Sequence, residues 1–327
     1  MLILDIDGTL IARGSETIRP AVVEALHQAQ RQGIKLLIAT GRAYYFIQQD
    51  VHDTLKPDYY VTINGQCLIE TGKGIIEKHE IQEDTMIRLN KLCDELELGV
   101  GYKFDESVVC QSHFHQFHWG YLKGKDVGNL LIDDTAEQNY QKTHGLPMGL
   151  FIIGDEAKVE SITDQFPELT FTWSYPQGYD IYSTGNDKTT TIESVLTRLG
   201  ISWAETMAFG DGENDIPMLV KAGVGVAVAN AKDNVKAAAD YIAPSVDEDG
   251  VAEALRHFGV IAERAAMQWE FKILVFDDLD KAEEELNQWG RKGWQVAAAG
   301  YSSDLFQRGY LVTLQRPLDP DRYPLPR

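Results

Sequence analysis

Two acids stand at the end of the chain's first apolar run, MLILDIDGTL, where Asp5 and Asp7 follow Leu2, Ile3 and Leu4. A carboxylate at the end of a buried strand is costly unless something pairs with it or uses it. Residues two apart on an extended strand face the same way. Both carboxylates are therefore expected in one cleft beyond the strand's carboxyl end, where α/β sheets bind ligands. One can act as a nucleophile, and the other can protonate a leaving oxygen and then activate water. The bland alternative is a turn Asp beside a capping Asp. IKLLIATGR ends a second apolar run in Thr40 and Gly41, a hydroxyl and a backbone N–H able to hold phosphoryl oxygens; alone, the pair is an ordinary strand-to-helix turn. Lys188 opens the helical stretch KTTTIESVL. A cation there opposes the helix macrodipole, so converging acids and a phosphate account for it better than the helix does; the bland alternative is a solvated lysine. GDGENDIPML, residues 210–219, gathers Asp211, Glu213, Asn214 and Asp215 at another Gly-rich turn. Such oxygen ligands suit Mg²⁺, which keeps several waters and uses few carboxylates. The alternative is a flexible acidic loop with an N-cap.

These pieces need strands and helices to bring them together, and the patterning supplies them. LIL before Asp5, IKLLIAT and YYVTINGQCLIE read as strands, the last with a turn at Asn64-Gly65, and Val22, Leu26 and Ala29 lie at helical spacing between the first two. Strand, helix, strand implies an α/β parallel sheet. From about residue 80 the texture changes: DTMIRLNKLCDEL reads as a helix with Met86, Leu89, Leu92 and Leu96 on one face, followed by alternating segments such as GVGYKFDESVVCQSHFHQFHW and MGLFIIG, a helical VESITDQF and a strand-like FTWSYPQGYDIYS. That mixture implies an inserted α+β unit, residues 80–182. The βαβ texture returns at 183–262, with TTTIESVLTRLG as a helix ending in Gly200, VGVAVAN as a buried strand, NVKAAADYI as a helix carrying Tyr241 and Ile242 near its end, and VAEALRHFG as the closing helix. The expected architecture is a Rossmann-like parallel-sheet core built from 1–79 and 183–262, the inserted unit, and a small C-terminal α+β domain over 266–327.

The chain has 327 residues, enough for two or three domains, with 44% hydrophobic residues and a formal charge of -20. Such a surface repels polyanions and argues against nucleic acid or anionic membrane as the main partner. An acidic protein that handles phosphate needs a local cation, and a metal is expected. Cys67, Cys93 and Cys110 are odd in number and far apart, as in reduced cytosolic proteins. No leader pattern and no membrane-length apolar run is apparent, so a cytoplasmic protein is expected.

Taken together, DIDGTL, IATGR, Lys188 and GDGENDIPML, in that order, resemble the motif set of the haloacid dehalogenase-like phosphohydrolase superfamily, in particular its Cof-type branch. INGQCLIE is similar to the Asn-Gly turn that precedes that family's cap, and NVKAAADYIAPSVDEDGVAEAL to its closing helices; the resemblance spans roughly residues 1–260. It implies that Asp5 attacks phosphorus to form an aspartyl-phosphate and that Asp7 is the general acid and base. It implies that Asp5, the Asp7 carbonyl and Asp211, supported by Asp215, bind Mg²⁺. Thr40, Gly41 and Lys188 would hold the phosphoryl group, with Asn214 beside them, and the insertion would be a substrate-reading cap. Dehalogenation needs no protonated leaving oxygen, so Asp7 points away from it. Two positions depart from the family's usual residues: Thr189, where Gly is common, and Gln66, where Ala is.

The expected activity is Mg²⁺-dependent hydrolysis of a small phosphorylated metabolite, such as a sugar phosphate or phosphorylated cofactor. The alternatives are transfer of the same phosphoryl group to another hydroxyl, as in a mutase, and a binding or regulatory protein that works through its C-terminal module. HFHQFHW, read as a strand, places His113 and His115 on one face and His118 on the other, which disfavours a shared zinc ion. Trp269, Trp289 and Trp294 fall in the last sixty or so residues, where EELNQWGRKGWQV resembles a small bacterial domain of unknown function. QWEFKILVFDD reads as a strand, LDKAEEELNQWGRKG as a helix with Leu279, Ala282, Leu286 and Trp289 on one face, WQVAAAGY and YLVTLQRP as a hairpin around SSDLFQRG, and LDPDRYPLPR as an irregular tail. So short a unit is marginal alone; it is read either as a packing element or as a module for a ligand, a partner or a second copy of the chain.

Overall fold

The computed structural model describes residues 1–262, 269–276, 279–292, 294–304 and 307–317. The chain forms two compact units, Met1–Ile261 and Ala262–Arg327.

In chain order the first unit begins β1 (Leu2–Leu4), α1 (Pro20–Arg31), β2 (Leu36–Ala39), β3 (Tyr59–Thr62), β4 (Cys67–Glu70) and β5 (Gly74–Lys78). It continues through α2 (Glu83–Leu96), β6 (Gly99–Lys103), β7 (Val108–Ser112), α3 (Phe114–Leu122), β8 (Leu131–Asp133), α4 (Gln141–His144), β9 (Gly149–Ile153), α5 (Glu156–Thr163), β10 (Leu169–Tyr175) and β11 (Gly178–Ser183). It closes with α6 (Lys188–Leu199), β12 (Met207–Gly210), α7 (Ile216–Lys221), β13 (Val224–Val228), α8 (Asp233–Ala238), β14 (Tyr241–Ala243) and α9 (Gly250–His257).

The larger sheet runs β14-β13-β12-β1-β2-β3-β4-β5, parallel except for the antiparallel β4 and β5. Successive side chains of its central strands alternate between two cores, as a period of two demands. Leu2, Leu4, Leu36 and Ile38 pack with Val22, Leu26 and Ala29 of α1 and with Val251 and Leu255 of α9. Ile3, Leu37 and Ala39 pack on the other face with Ile192 and Val195 of α6, Met218 and Leu219 of α7 and Val235 of α8. Both faces are covered, which is why these strands read as continuous apolar runs. Pro20 starts α1, where its missing N–H costs nothing. Asp187 caps α6 by accepting from the Thr190 N–H, and Gly200 ends it at φ +67°.

The smaller sheet lies between α2 and β11 in sequence and runs β10-β11-β9-β6-β7-β8. Val100 and Tyr102 of β6 and Leu150 and Ile152 of β9 point to one face, packed by Met86, Leu89 and Cys93 of α2 and Val159 and Ile162 of α5. The other face carries α3. Here the strand expected over HFHQFHW is replaced by a helix. Phe114, Phe117 and Tyr121 fall at helical spacing and join Cys110, Phe151 and Ile153. Glycines clear the space: a Cβ at Gly101 would lie 2.1 Å from the Phe117 ring, and one at Gly120 would lie 2.3 Å from Ile153. His113 turns the chain at φ +49° before the helix, so the three histidines do not alternate on one strand.

A second correction concerns NVKAAADYI. Its helix stops at Ala238, and Tyr241–Ala243 instead forms the edge strand β14, with Tyr241 opposite Val226.

The second unit holds β15 (Trp269–Phe276), α10 (Leu279–Gly290), β16 (Gln295–Asp304) and β17 (Gln307–Pro317) in an antiparallel sheet of order β15-β17-β16. Its core joins Phe276, Ala282, Trp294, Val312 and Leu314. The Trp289 and Trp294 rings meet edge to face at 5.8 Å, and Lys272 Nζ lies 3.8 Å from the Trp289 centroid. The hairpin is longer than expected, with Ser302 opposite Gly309 and Asp304 opposite Gln307. The expected tail, 318–327, lies outside the described residues.

Candidate active site

Strand register brings the motif residues together. Leu4 of β1 lies opposite Ile38 of β2 on one side and Phe209 of β12 on the other. One or two residues further along each strand stand Asp5, Thr40 and Asp211. They share the carboxyl edge of the parallel sheet because their strands are neighbours in register.

Asp5, Asp211 and Asp215 are 7%, 6% and 1% exposed, and each offers a carboxylate oxygen within 4.8 Å of the others'. Lys188, the first residue of α6, is buried between two of them, with Nζ 2.8 Å from Asp5 Oδ1 and 2.7 Å from Asp215 Oδ1. Burial alone would lower the lysine's pKa; Asp215 and Asp5 outweigh it and raise it. The acids show the opposite imbalance. Burial, reinforced by Asp215, holds the Asp5 carboxyl well above its usual range despite Lys188. Asp211 is raised by burial and by Asp215, against the pull of Arg13. One buried ammonium does not neutralise three buried carboxylates.

Each carboxylate is fastened differently. Asp215 Oδ2 accepts the backbone N–H groups of Asp211 at 3.2 Å and Gly212 at 3.0 Å, so it shapes the loop that carries Asp211. Asp211 accepts from Thr9 Oγ1 at 3.4 Å and from the largely exposed Arg13 at 3.1 Å. Gly8 is needed beside it: its φ is +94°, and a Cβ there would stand 2.3 Å from Asp211 Oδ2.

Asp7 departs from the expectation that both acids of DIDGTL share one strand face. The strand ends at Leu4, and Asp7 forms an isolated bridge to Ile11. Its carboxylate is outside the group of three and is gripped by Arg42, whose Nε and Nη2 donate to Oδ2 at 2.6 Å and Oδ1 at 2.7 Å. Arg42 Nη1 also donates to the Phe46 carbonyl at 2.8 Å.

Thr40 is buried, and its Oγ1 accepts the Arg42 N–H at 3.2 Å. A Cβ on Gly41 would stand 3.2 Å from the Asn64 amide, so the Thr-Gly turn lies against the Asn64 loop. Asn214 donates to Asn64 Oδ1 at 2.9 Å and joins the Asn64 and GDGEND loops. Ile63 and Asn64 hold left-handed backbone, φ +52° and +53°, pinned by Ile63 N–H to Arg42 O and Asn64 N–H to Thr40 O. A β-branched residue there is strained, and strain of this kind gathers at functional sites. Glu213 turns away from the cluster to Lys232 at 3.2 Å and Asn234 at 3.1 Å.

The two unusual positions fall on one seam. Gln66 Nε2 donates to Asn186 O at 2.5 Å just before α6, and Thr189 is buried in the first turn of that helix. Gly65 lets the seam close, because a Cβ there would stand 2.1 Å from Asp187 O.

Sequence reasoning assigned no role to Arg42, Arg13, Asn64, Lys103 or Asp180. Arg42 had a signal, since it completes IATGR. Lys103, 2% exposed, extends from β6 to pair with Asp180 of β11 and to donate to the Gly41 carbonyl at 3.2 Å. Nothing in GVGYK marks it.

The donor set fits a hard divalent cation: all oxygen, few carboxylates and an excess of buried negative charge. Among the described residues, these three aspartates form the only such group, and the histidines contribute to none.

A parallel sheet with acids at its carboxyl edge and a second sheet inserted in the chain is an α/β frame whose ligand site lies at the strand ends. A family model described as haloacid dehalogenase-like hydrolase matches residues 2–255, and the chain belongs to that family. It is 26% identical over 260 residues to the 5-amino-6-(5-phospho-D-ribitylamino)uracil phosphatase YcsE of Bacillus subtilis, covering 79% of this chain and 95% of that protein. It is 28% identical over 268 residues to the pyridoxal phosphate phosphatase YbhA of Escherichia coli, covering 77% and 96%. The solved structure of the subclass IIB sugar phosphatase BT4131 superposes with a TM-score of 0.70 at 29% identity, over 80% of this chain and 99% of that one. About a fifth of this chain lies outside each of these matches. No helix among the described residues is long and apolar enough to cross a membrane.

Proposed function

We propose that the protein is a Mg²⁺-dependent phosphatase acting on a small phosphorylated metabolite, with residues 80–182 as the cap that reads the substrate. The observation that carries this reading is the buried cluster of Asp5, Asp211 and Asp215 around Lys188, with the Asp7–Arg42 pair and Thr40 at the same sheet edge. The similarity to phosphatases of small substrates supports it.

Asp5 attacks phosphorus through a carboxylate oxygen, and the bond from phosphorus to the leaving oxygen breaks. Asp7 gives that oxygen its proton, and the phosphoryl group rests on Asp5 as an aspartyl-phosphate. Asp7, now a carboxylate, takes a proton from water; the water oxygen bonds to phosphorus, the acyl-phosphate bond breaks, and Asp5 and inorganic phosphate are released. Arg42 orients Asp7 through two parallel hydrogen bonds, one of which parts when Asp7 carries the proton. Lys188, Thr40, Gly41 and Asn214 hold the phosphoryl oxygens. Asp5, Asp211 and the Asp7 carbonyl, with Asp215 behind them, would hold Mg²⁺, which offsets the repulsion between an anionic nucleophile and an anionic substrate.

The test is release of inorganic phosphate from a panel of phosphorylated metabolites, with Mg²⁺ and with chelator, by the wild type and Asp5→Asn. Mg²⁺-dependent release that Asp5→Asn abolishes is expected. Absence of release from every substrate by folded protein overturns the reading.

A further inference from the structure

We propose that Lys103 and Asp180 form a dyad in the roof of the cleft that reads a hydroxyl on the substrate's leaving group. This rests on the phosphatase reading above and adds to it the chemistry of the leaving group.

The underside of the smaller sheet is set by strand alternation. Asp180 lies opposite Phe151, and Phe151 opposite Gly101; Lys103 lies opposite Gly149. Residues two apart share a face, so Gly101, Lys103, Gly149, Phe151 and Asp180 line one side. That side meets the parallel-sheet core: a Cβ on Gly149 would stand 2.5 Å from Ile63 Cγ2, and Lys103 Nζ reaches the Gly41 carbonyl. Gly41 directly follows Thr40, so the ammonium lies beside the turn assigned above to the phosphoryl group. Tyr121, half-buried and packed against Phe151 on the same side, feels the charges of both Asp180 and Arg42.

The side chain of Lys103 is 2% exposed and that of Asp180 18%. Apolar residues of similar volume would serve a purely structural purpose as well or better, because two charges lose their water on burial. The Phe151 ring also lies under the ammonium, 5.8 Å from Nζ to its centroid, a cation–π contact that occupies none of the hydrogen-bond donors. The polar valences are incompletely used. An ammonium has three donors, and two go to Asp180 Oδ1 and Gly41 O. Among the described residues none donates to Asp180 Oδ2. A free donor and a free acceptor therefore stand side by side. A hydroxyl both donates and accepts, so a hydroxyl near the phosphoester can donate a hydrogen bond to Asp180 and accept one from Lys103. An alkyl or aryl phosphate without a hydroxyl would leave both groups unmatched, which a site built on hydrogen bonds penalises.

The experiment compares kcat/KM with Mg²⁺ for glycerol 3-phosphate and sorbitol 6-phosphate against n-propyl phosphate and phenyl phosphate, in the wild type, Asp180→Asn and Lys103→Met. Asp180→Asn preserves shape should Lys103→Met fold poorly. The wild type is expected to prefer the hydroxylated substrates by at least about tenfold, and Asp180→Asn to collapse that preference to within about threefold, chiefly through KM. A wild type without the preference, or variants that slow all four substrates by one factor, would overturn the dyad and leave Lys103 as a strut between the sheet and Gly41. Hydrolysis of none of the four by the wild type would overturn this inference, and the phosphatase reading falls with it only if the wider panel of metabolites also yields no phosphate. The outcomes are distinct, because the first two retain Mg²⁺-dependent turnover.

Discussion

Lys188, which opens α6 beside the larger sheet, and Lys103, which ends β6 of the smaller sheet, are both 2% exposed and both paired with aspartate. Their settings differ. Lys188 stands among three carboxylates that together carry more charge than it can offset, in loops that follow parallel strands. Lys103 has a single carboxylate and a backbone carbonyl, on strands of a mostly antiparallel sheet. The first arrangement leaves a charge deficit suited to a metal and an anionic nucleophile. The second is charge-balanced and offers hydrogen bonds. Under the proposed function the first arrangement carries reaction and the second recognition.

The largest effect belongs to Asp5, the proposed nucleophile. Asp5→Asn keeps the shape of the side chain and removes the attacking charge, so phosphate release is expected to fall by about 10⁴-fold or more, the scale seen when a nucleophile is removed. Asp180→Asn should cost a hydroxylated substrate no more than about 10²-fold, the scale of hydrogen bonds to a charged group. Comparable losses in the two variants would erase the division between chemistry and reading.

Stability comes next. Lys188→Met leaves Asp5 and Asp215 buried without their cation, and breaking a buried pair in this way costs about 3–5 kcal/mol. Asp180 is more accessible than either of those acids, so Lys103→Met should cost less. Chemical denaturation of both variants without Mg²⁺ checks the order. A larger loss from Lys103→Met would mean that the roof pair, and not the floor cluster, holds more of the unit's stability.

The same contrast explains what could be read before the structure. Each floor residue sits at a Gly-punctuated turn after an apolar run, so DIDGTL, IATGR and GDGENDIPML announce themselves, and strand register then brings Asp5, Thr40 and Asp211 together. The assignment of helices and strands in the core follows from the same runs except at Tyr241–Ala243, where an edge strand stands in place of the expected helix end. Lys103 and Asp180 lie within strands, where charge normally marks a solvent-facing position; only pairing with a distant strand buries them. The helix over Phe114–Leu122 was missed for a related reason. Its histidines drew the eye to a period of two, while the deciding contacts are Phe117 against Gly99 and Gly101, which are distant in sequence. The strand face expected to carry Asp5 and Asp7 ends before both, at a boundary that no residue type marks, so the loop after β1 presents the two acids.

Magnesium should act on the floor and not the roof, and pH should tune it. Asp5 and Asp211 have folded pKa values raised above their ordinary value, by burial first and by neighbouring carboxylates second. A raised carboxyl favours folding while it is protonated. That contribution is complete below the unfolded value and is lost as pH rises through the folded one. The metal-free protein should thus lose stability as pH rises from acid toward neutral. Mg²⁺ needs the charged carboxylates, so about 10 mM Mg²⁺ should raise Tm more near pH 7.5 than near pH 5, and Asp211→Asn should remove most of that gain. Lys103→Met should leave the pH dependence of the gain in place. Thermal melts across pH with and without Mg²⁺ decide it; an equal gain at both pH values would mean that the metal binds elsewhere.

The smallest expected effect is the most pointed about motifs. Glu213 lies inside GDGEND, between residues of the floor, yet it faces Lys232 and Asn234 on the exposed side of the loop. Its pKa is lowered by Asn234 and then Lys232, the pattern of a surface contact. Exposed pairs of this kind contribute about 0–1 kcal/mol. Glu213→Gln should therefore leave Mg²⁺ dependence and kcat near wild type, while Asn214→Asp, one residue on, sets a negative charge against Asn64 and the phosphoryl pocket and should raise KM. Steady-state kinetics on the two variants test whether the floor is defined by the motif or by the side chains that turn inward. A loss of Mg²⁺ dependence in Glu213→Gln would mean that the loop rearranges when metal binds and brings this acid into the site.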